Sequence, residues 1–352
     1  MPLLHLPNEI LRFIAEELEA ASDVNAFAQT NIRLHSLLNT YLYLYDVQRL
    51  GSSALLWATK HGQAATTQKS LQEGAHIQSM FEFNQTPLAL AAENGHDVVV
   101  NILLATGKIN PDSKDSFART PLSLAAWKGH LAVVSSLLNT ENVDPDSRDY
   151  QGQTPLSWAA EYGHEMVVKL LVATEGVDPN SKDCNGRTPL FRAAENGREA
   201  VVKLLLATEH VDPDCKDLFG WTPLALASYR GHEAVVNLLL ATKCVEPDSS
   251  NYLNRTPLSL AAQSGHEAIV RILLATDNVN PGYKDSSGRT PLSHAAEKGN
   301  VAVVQLLLIT EGVDPYTKDL FKRTPLSLAV QKGHKVVVRS LQIHSLSGQS
   351  TL

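Results

Sequence analysis

The chain has 352 residues, 43% hydrophobic and 19% charged, with a formal net charge of −7 and an isoelectric point near 6.0. That is apolar material enough for a large interior, laid out as two domains or one elongated array. An acidic chain without a basic stripe excludes sequence-independent attraction to phosphate backbones, and apolar runs far below roughly 18 residues exclude a helical membrane span.

The opening segment, MPLLHLPNEILRF, lacks the basic, apolar and small-residue regions of a signal peptide. Leu6, Ile10, Leu11, Ile14 and Leu18 recur at helical spacing, and Pro7 suits a first helical turn. Asp23 reads as the cap of a second helix holding Val24, Phe27 and Ala28, and Leu34, Leu37, Leu38 and Leu42 mark a third apolar face. Three short helices in so few residues make a marginal core that a partner surface would complete. The alternative is a helical cap on the downstream part of the chain.

Beyond this segment, Thr-Pro pairs begin at Thr86, Thr120, Thr154, Thr188, Thr222, Thr256, Thr290 and Thr324, all equally spaced. A degraded copy, Ser53–Gly62, precedes them, so about nine units run to near Ile343. Within a unit, Thr is an N-cap and Pro occupies the first helical position. Ala pairs such as Ala125-Ala126 admit a close neighbour, and a Gly such as Gly129 ends the helix. A second apolar helix comes next, for example HEAVVNLLLAT from His232, and then an Asp-, Asn- and Gly-rich projecting turn. One such unit cannot bury its apolar face; stacked copies can. Polar residues at the ends of the series (Lys69 and Ser70, Ser340 and Gln342) read as outward faces of capping units.

These repeats resemble the ankyrin family, which shares the TPL signature and a period of about 33 residues. The resemblance implies an all-α ankyrin-repeat solenoid of about nine helix–turn–helix units over residues 52–345, between a small N-terminal helical module at 1–51 and a short tail at 346–352. Ser or Ala replaces the family's His after TPL in most units, and Ala118, Asn254 and Lys322 stand where its turn has Gly. Arg192 and His294 replace a helix leucine and are expected to snorkel at the edge of the stack. The N-terminal stretch, with LPNEIL at 6–11, SDVNAFAQTN at 22–31 and RLHSLL at 33–38, resembles the F-box in its divergent fungal form. That implies docking on the adaptor subunit of a cullin–RING ubiquitin ligase through Leu6, Pro7, Ile10 and Leu11, supported by Ile14 and Phe27.

Chemistry finds no foothold. The six histidines at the start of second helices (His96, His130, His164, His232, His266, His334) fall one per unit, too far apart to share a zinc ion, and read as hydrogen-bonding links between units. The recurrent turn aspartates lack a calcium-loop pattern and read as backbone-bonding turn residues. Cys184, Cys215 and Cys244 form no C-x-x-C pair, which fits a reducing cytoplasmic or nuclear compartment. No catalytic residue, metal or cofactor is expected.

The turn tips vary instead. Phe117, Tyr150, Leu218, Phe219, Tyr252, Leu253, Leu320 and Phe321 sit there, and Trp127, Tyr162 and Tyr229 extend the surface on the first helices. In the ankyrin family such tips line the partner-binding face, and solvated tips have no folding reason to be aromatic. The expectation is a monomeric interaction protein, a substrate receptor of a ubiquitin ligase or a scaffold without that link. The acidic chain with apolar tips points to a partner offering an apolar patch among basic residues.

Overall fold

Residue chemistry repeated at equal intervals builds the same two helices each time. The computed structural model describes residues 6–16, 32–50 and 52–349. All regular elements among them are helical, and the chain divides into two compact units, Met1–Tyr150 and Gln151–Leu352.

In the first unit, α1 (Asn8–Glu16) packs on α2 (Ile32–Arg49). Leu11 of α1 and Leu34 and Leu38 of α2 are buried, and Arg33 donates to the Leu6 carbonyl at 3.1 Å and to Asn8 Oδ1 at 2.8 Å. The pairs α3 (Ser53–Lys60) with α4 (Ala64–Gln72), α5 (Pro87–Glu93) with α6 (Asp97–Leu104), and α7 (Pro121–Lys128) with α8 (Leu131–Leu138) come after them. First helices pack on first helices and second on second, while α2 lies against α3 and α4. Buried Asp46 of α2 accepts hydrogen bonds from the Ser53 hydroxyl and the Ala54 N–H at the start of α3.

The second unit holds α9 (Pro155–Tyr162) with α10 (Glu165–Val172), α11 (Pro189–Glu195) with α12 (Glu199–Leu206), α13 (Pro223–Arg230) with α14 (Glu233–Leu240), α15 (Pro257–Ser264) with α16 (Glu267–Leu274), α17 (Pro291–Lys298) with α18 (Val301–Leu308), and α19 (Pro325–Lys332) with α20 (Lys335–Gln349). They pack in the same two rows.

From α5 onward each first helix opens with Thr in extended conformation, its Oγ1 accepting the N–H three residues on, as Thr222 does from Ala225 at 3.1 Å; α3 instead follows Ser52 at positive φ without such a bond. These helices end near a Gly at positive φ, for example Gly231 at 90°. The core is a repeating set: a Leu after Pro, the Ala pair, and Val-Val plus Leu on the second helix, as in Leu190, Ala193-Ala194, Val201-Val202 and Leu205, all essentially inaccessible. Each large aliphatic contributes about 1.5–3 kcal/mol by burial.

The histidine positions carry the hydrogen-bonding role expected of them. In the first unit His96 Nε2 lies 3.0 Å from the Lys60 carbonyl and His130 Nε2 lies 3.0 Å from that of Glu93. In the second, His232, His266 and His334 reach the carbonyls of Glu195, Tyr229 and Glu297 at 3.0–3.1 Å. Arg198 and Asn300 stand at the same position and do the same, to Glu161 at 3.0 Å and to Ala262 at 2.8 Å. These side chains cross directly over the preceding repeat's helix-ending glycine: a Cβ on Gly231 would fall 2.6 Å from His266 Cε1. Glycine there supplies both a left-handed backbone and the room for the link.

Three expectations are corrected. His294 is buried at 2% exposure, with Nε2 3.0 Å from Asp285 Oδ2. Arg192, the other outlier, turns its guanidinium onto Asp183, with Nε at 3.0 Å. Neither snorkels; each replaces a core leucine because an aspartate earlier in the same repeat gives it a buried acceptor. Ser70 is fully buried and not on an outward face, since α2 and α6 pack against α4.

Candidate interaction surface

Most projecting turns are built by one acidic or amide side chain. Asp217 Oδ1 accepts from the N–H groups of Phe219 at 2.8 Å and Trp221 at 2.9 Å, while its backbone closes the turn with Trp221 and Gly220. Asp115, Asp183, Asp285 and Asp319 repeat this arrangement, and Asn251 does so without a charge. The fourth turn residue lies at positive φ throughout, including Ala118 at 60°, Asn254 at 54° and Lys322 at 59°. The turn keeps its shape where Gly is missing and takes the strain.

With its backbone occupied, the turn projects its two middle side chains into solvent. Phe117, Tyr150, Leu218, Phe219, Tyr252, Leu253, Leu320 and Phe321 are all exposed, Tyr252 at 73%. Successive tips are tied by one backbone bond each. In the first unit Ser116 N–H reaches Phe83 O at 2.7 Å and Tyr150 N–H reaches Phe117 O at 3.1 Å. In the second, Cys184, Leu218, Tyr252, Ser286 and Leu320 donate to Gln151, Asn185, Phe219, Leu253 and Ser287 at 2.8–3.2 Å.

Phe83 is a tip that sequence reasoning missed. It lies one repeat before Phe117, is 60% exposed, and its ring centroid sits 5.6 Å from that of Phe117. The Thr-Pro pair at Thr86 carried the signal, but Phe81 stands where later turns have Asp and hid the register.

Along most first helices, the residue before the Thr pairs with the residue eight positions on. Gln85 binds Glu93 at 2.7 Å in the first unit; Gln153 binds Glu161 at 2.9 Å, Arg187 binds Glu195 at 3.0 Å and Arg289 binds Glu297 at 2.8 Å in the second. Two of these second positions are aromatic, Trp127 and Tyr229. Arg119 lies 5.5 Å from the Trp127 ring and 4.8 Å from Phe117, joining tip and helix. Trp221 meets Tyr229 edge-on at 5.6 Å. The structure thus joins Phe117 to Trp127 through Arg119, ties Tyr252 to Phe219 through the backbone and sets Tyr229 against Trp221. Tyr162 falls one position round its helix, packed with Trp158 and His164 at 6.1 and 6.5 Å, away from this pairing. Leu320 and Phe321 are separated from Leu253 by the polar Ser286-Ser287 tip.

Of the adaptor candidates, Pro7 and Ile10 are exposed, Leu6 and Ile14 half-buried, and Leu11 is completely buried where α1 packs on α2. Phe27 lies outside the described residues. Among the described residues no three His, Cys, Asp or Glu side chains gather as a metal site, and no helix is long and apolar enough to cross a membrane.

A family profile described as Ankyrin repeats (3 copies) matches in overlapping segments from residue 33 to residue 349. The chain belongs to the ankyrin-repeat family. The matched region starts inside the F-box-like stretch, taking in Arg33–Leu38, and no F-box profile matches. A search of curated proteins gives no match. Ankyrin repeats serve protein–protein interaction and are generally scaffolds without catalysis.

Proposed function

We propose that this ankyrin protein is a receptor that captures a protein partner on its exposed turn tips. The observation that carries this reading is the row of large apolar tips whose backbone groups are engaged while their side chains face solvent. Burying one such side chain on a partner contributes about 1.5–3 kcal/mol, and a few clustered aromatics dominate an interface. The test is parallel affinity capture with wild-type chain and Phe219→Ser/Tyr252→Ser, followed by mass spectrometry. A partner retained by the first and lost by the second is the expected result; identical captures would reject the reading.

A second reading adds a ubiquitin ligase: α1 docks the ligase adaptor and the repeats present the captured protein for ubiquitination. What favours it is that Ile10 and Phe13 of α1 are exposed beside Pro7, at 46% and 59% for the two larger side chains. Calorimetry of the full-length chain with purified adaptor tests it. Binding abolished by Ile10→Ala/Phe13→Ala supports the receptor role, and no heat at high micromolar concentration leaves a scaffold.

A further inference from the structure

The second unit carries exposed apolar residues on two successive turns and the helix between them, with arginines close by in the chain. Leu218 and Phe219 project from one tip and Tyr252 and Leu253 from the next, while Trp221, two residues after Phe219, meets Tyr229 of the helix between the turns edge-on. Their surroundings differ from the rest of this acidic chain in two ways. On one side Glu195 is shared among three guanidinium groups: Arg187 at 3.0 Å, Arg230 at 3.3 Å and Arg192 at 3.7 Å. Arg230, the outermost, is half exposed and has no shorter contact. On the other side, Asn251 stands where neighbouring turns have Asp. The equivalent arginines of this unit each hold a carboxylate closely: Arg187 lies 3.0 Å from Glu195, Arg289 2.8 Å from Glu297 and Arg323 2.8 Å from Asp319. Arg255 instead finds an uncharged amide, Gln263 Oε1 at 3.4 Å. Its nearest carboxylate oxygen, Asp285 Oδ2, is 3.6 Å away and already holds His294 at 3.0 Å.

From this juxtaposition, which rests on the tip-binding reading above, we infer that the cluster takes a segment of a partner protein whose apolar side chains are flanked by aspartate or glutamate. The apolar side chains would cover Phe219 and Tyr252, and the flanking carboxylates would meet Arg230 and Arg255. Desolvated carboxylate–guanidinium pairs strengthen such contacts and set register. The sign is opposite to the one the net charge of −7 implies, because the compensating acids here are either shared or replaced by an amide.

Panning a display library of random dodecapeptides on the full-length chain tests this. Winners are expected to place an aromatic or aliphatic residue within three positions of two or more acids. A fluorescent synthetic winner should lose about tenfold or more in affinity to Phe219→Ser/Tyr252→Ser and to Arg230→Glu. It should also weaken as salt rises from roughly 50 to 300 mM. Arg230 is exposed, so its reversal reports charge with the fold intact, which far-ultraviolet circular dichroism verifies; Arg255→Glu is the second reversal. Winners flanked by Lys or Arg, or acidic winners indifferent to both reversals, would overturn the acidic assignment and leave tip binding standing. Winners indifferent to the tip variant, or tip-dependent self-association of the chain in place of peptide binding, would overturn both.

Discussion

Asp214 Oδ1 is sealed from solvent with no hydrogen-bond partner, and so are Oδ1 of Asp112 and Asp248 at the same place in other repeats. Asn180, one repeat before Asp214, shows what that place asks for: its Oδ1 accepts from Asp212 N–H at 2.9 Å and its Nδ2 donates to the His210 carbonyl. A carboxylate can supply the acceptor but not the donor. Burial, with the Asp212 and Glu246 charges added and Lys216 opposing, accordingly pushes Asp214 up to about 6, and burial raises Asp112, beside Asp144 and Lys114, and Asp248 in the same direction. A raised carboxyl binds its proton more readily in the folded than in the unfolded chain. Its contribution is therefore favourable at low pH and is lost as pH rises through the folded value. Asp285 and Asp319 run the other way. Burial pushes both up, but hydrogen bonds from His294 and the Arg289 N–H to the first, and from Arg323 to the second, outweigh it. Their contribution is present above the ordinary carboxylate range and fades below it. Asp214→Asn isolates the first effect: it should gain on the order of 1 kcal/mol at pH 7, with the advantage over wild type shrinking toward pH 4. Thermal melts across that window measure it.

The element scale is where the strain and the links lie. Gly231→Ala meets both a positive φ and the His266 ring, and should cost on the order of 2 kcal/mol. Adding His266→Ala removes the collision, so the double variant should be less destabilised than the two single costs added together, which urea melts can establish. Lys322→Gly relieves a left-handed lysine and should stabilise by about 0.5–1 kcal/mol in the same assay; Asn254→Gly should do less, because Asn tolerates that conformation.

The helices were legible because every signal for them is local and repeated: Thr then Pro, an Ala pair, a closing Gly. The tips were legible as exposed positions for the same reason. Arg192 and His294 were not, because the fate of a charged residue on an apolar helix depends on an aspartate brought next to it only by the fold. Nor was the burial of Leu11 and Ser70, which α2 decides. The arginine excess around Tyr252 was equally hidden, since a net charge says nothing about which acids are already shared.

For the molecule as a whole, stability is a sum of repeats and the contacts between neighbours. Leu239→Ala empties a fully buried site on α14 and should cost about 2–5 kcal/mol. Hydrogen exchange should show the loss of protection centred on residues 223–240 and their flanking repeats, with helices farther along much less affected. Spread of the loss evenly over the chain would mean tighter cooperativity than a linear array allows.

The tip-to-tip backbone bonds have a broader consequence. Leu218 and Tyr252 donate their N–H groups to the preceding tip and Phe219 offers its carbonyl to the next, so the turns hold their places through atoms that every residue possesses. Side-chain identity at the tips is thereby released from architectural duty. Two letters per repeat can be rewritten by chance mutation or by a designer to change what is recognised, while the remaining residues of the repeat continue to answer only to folding.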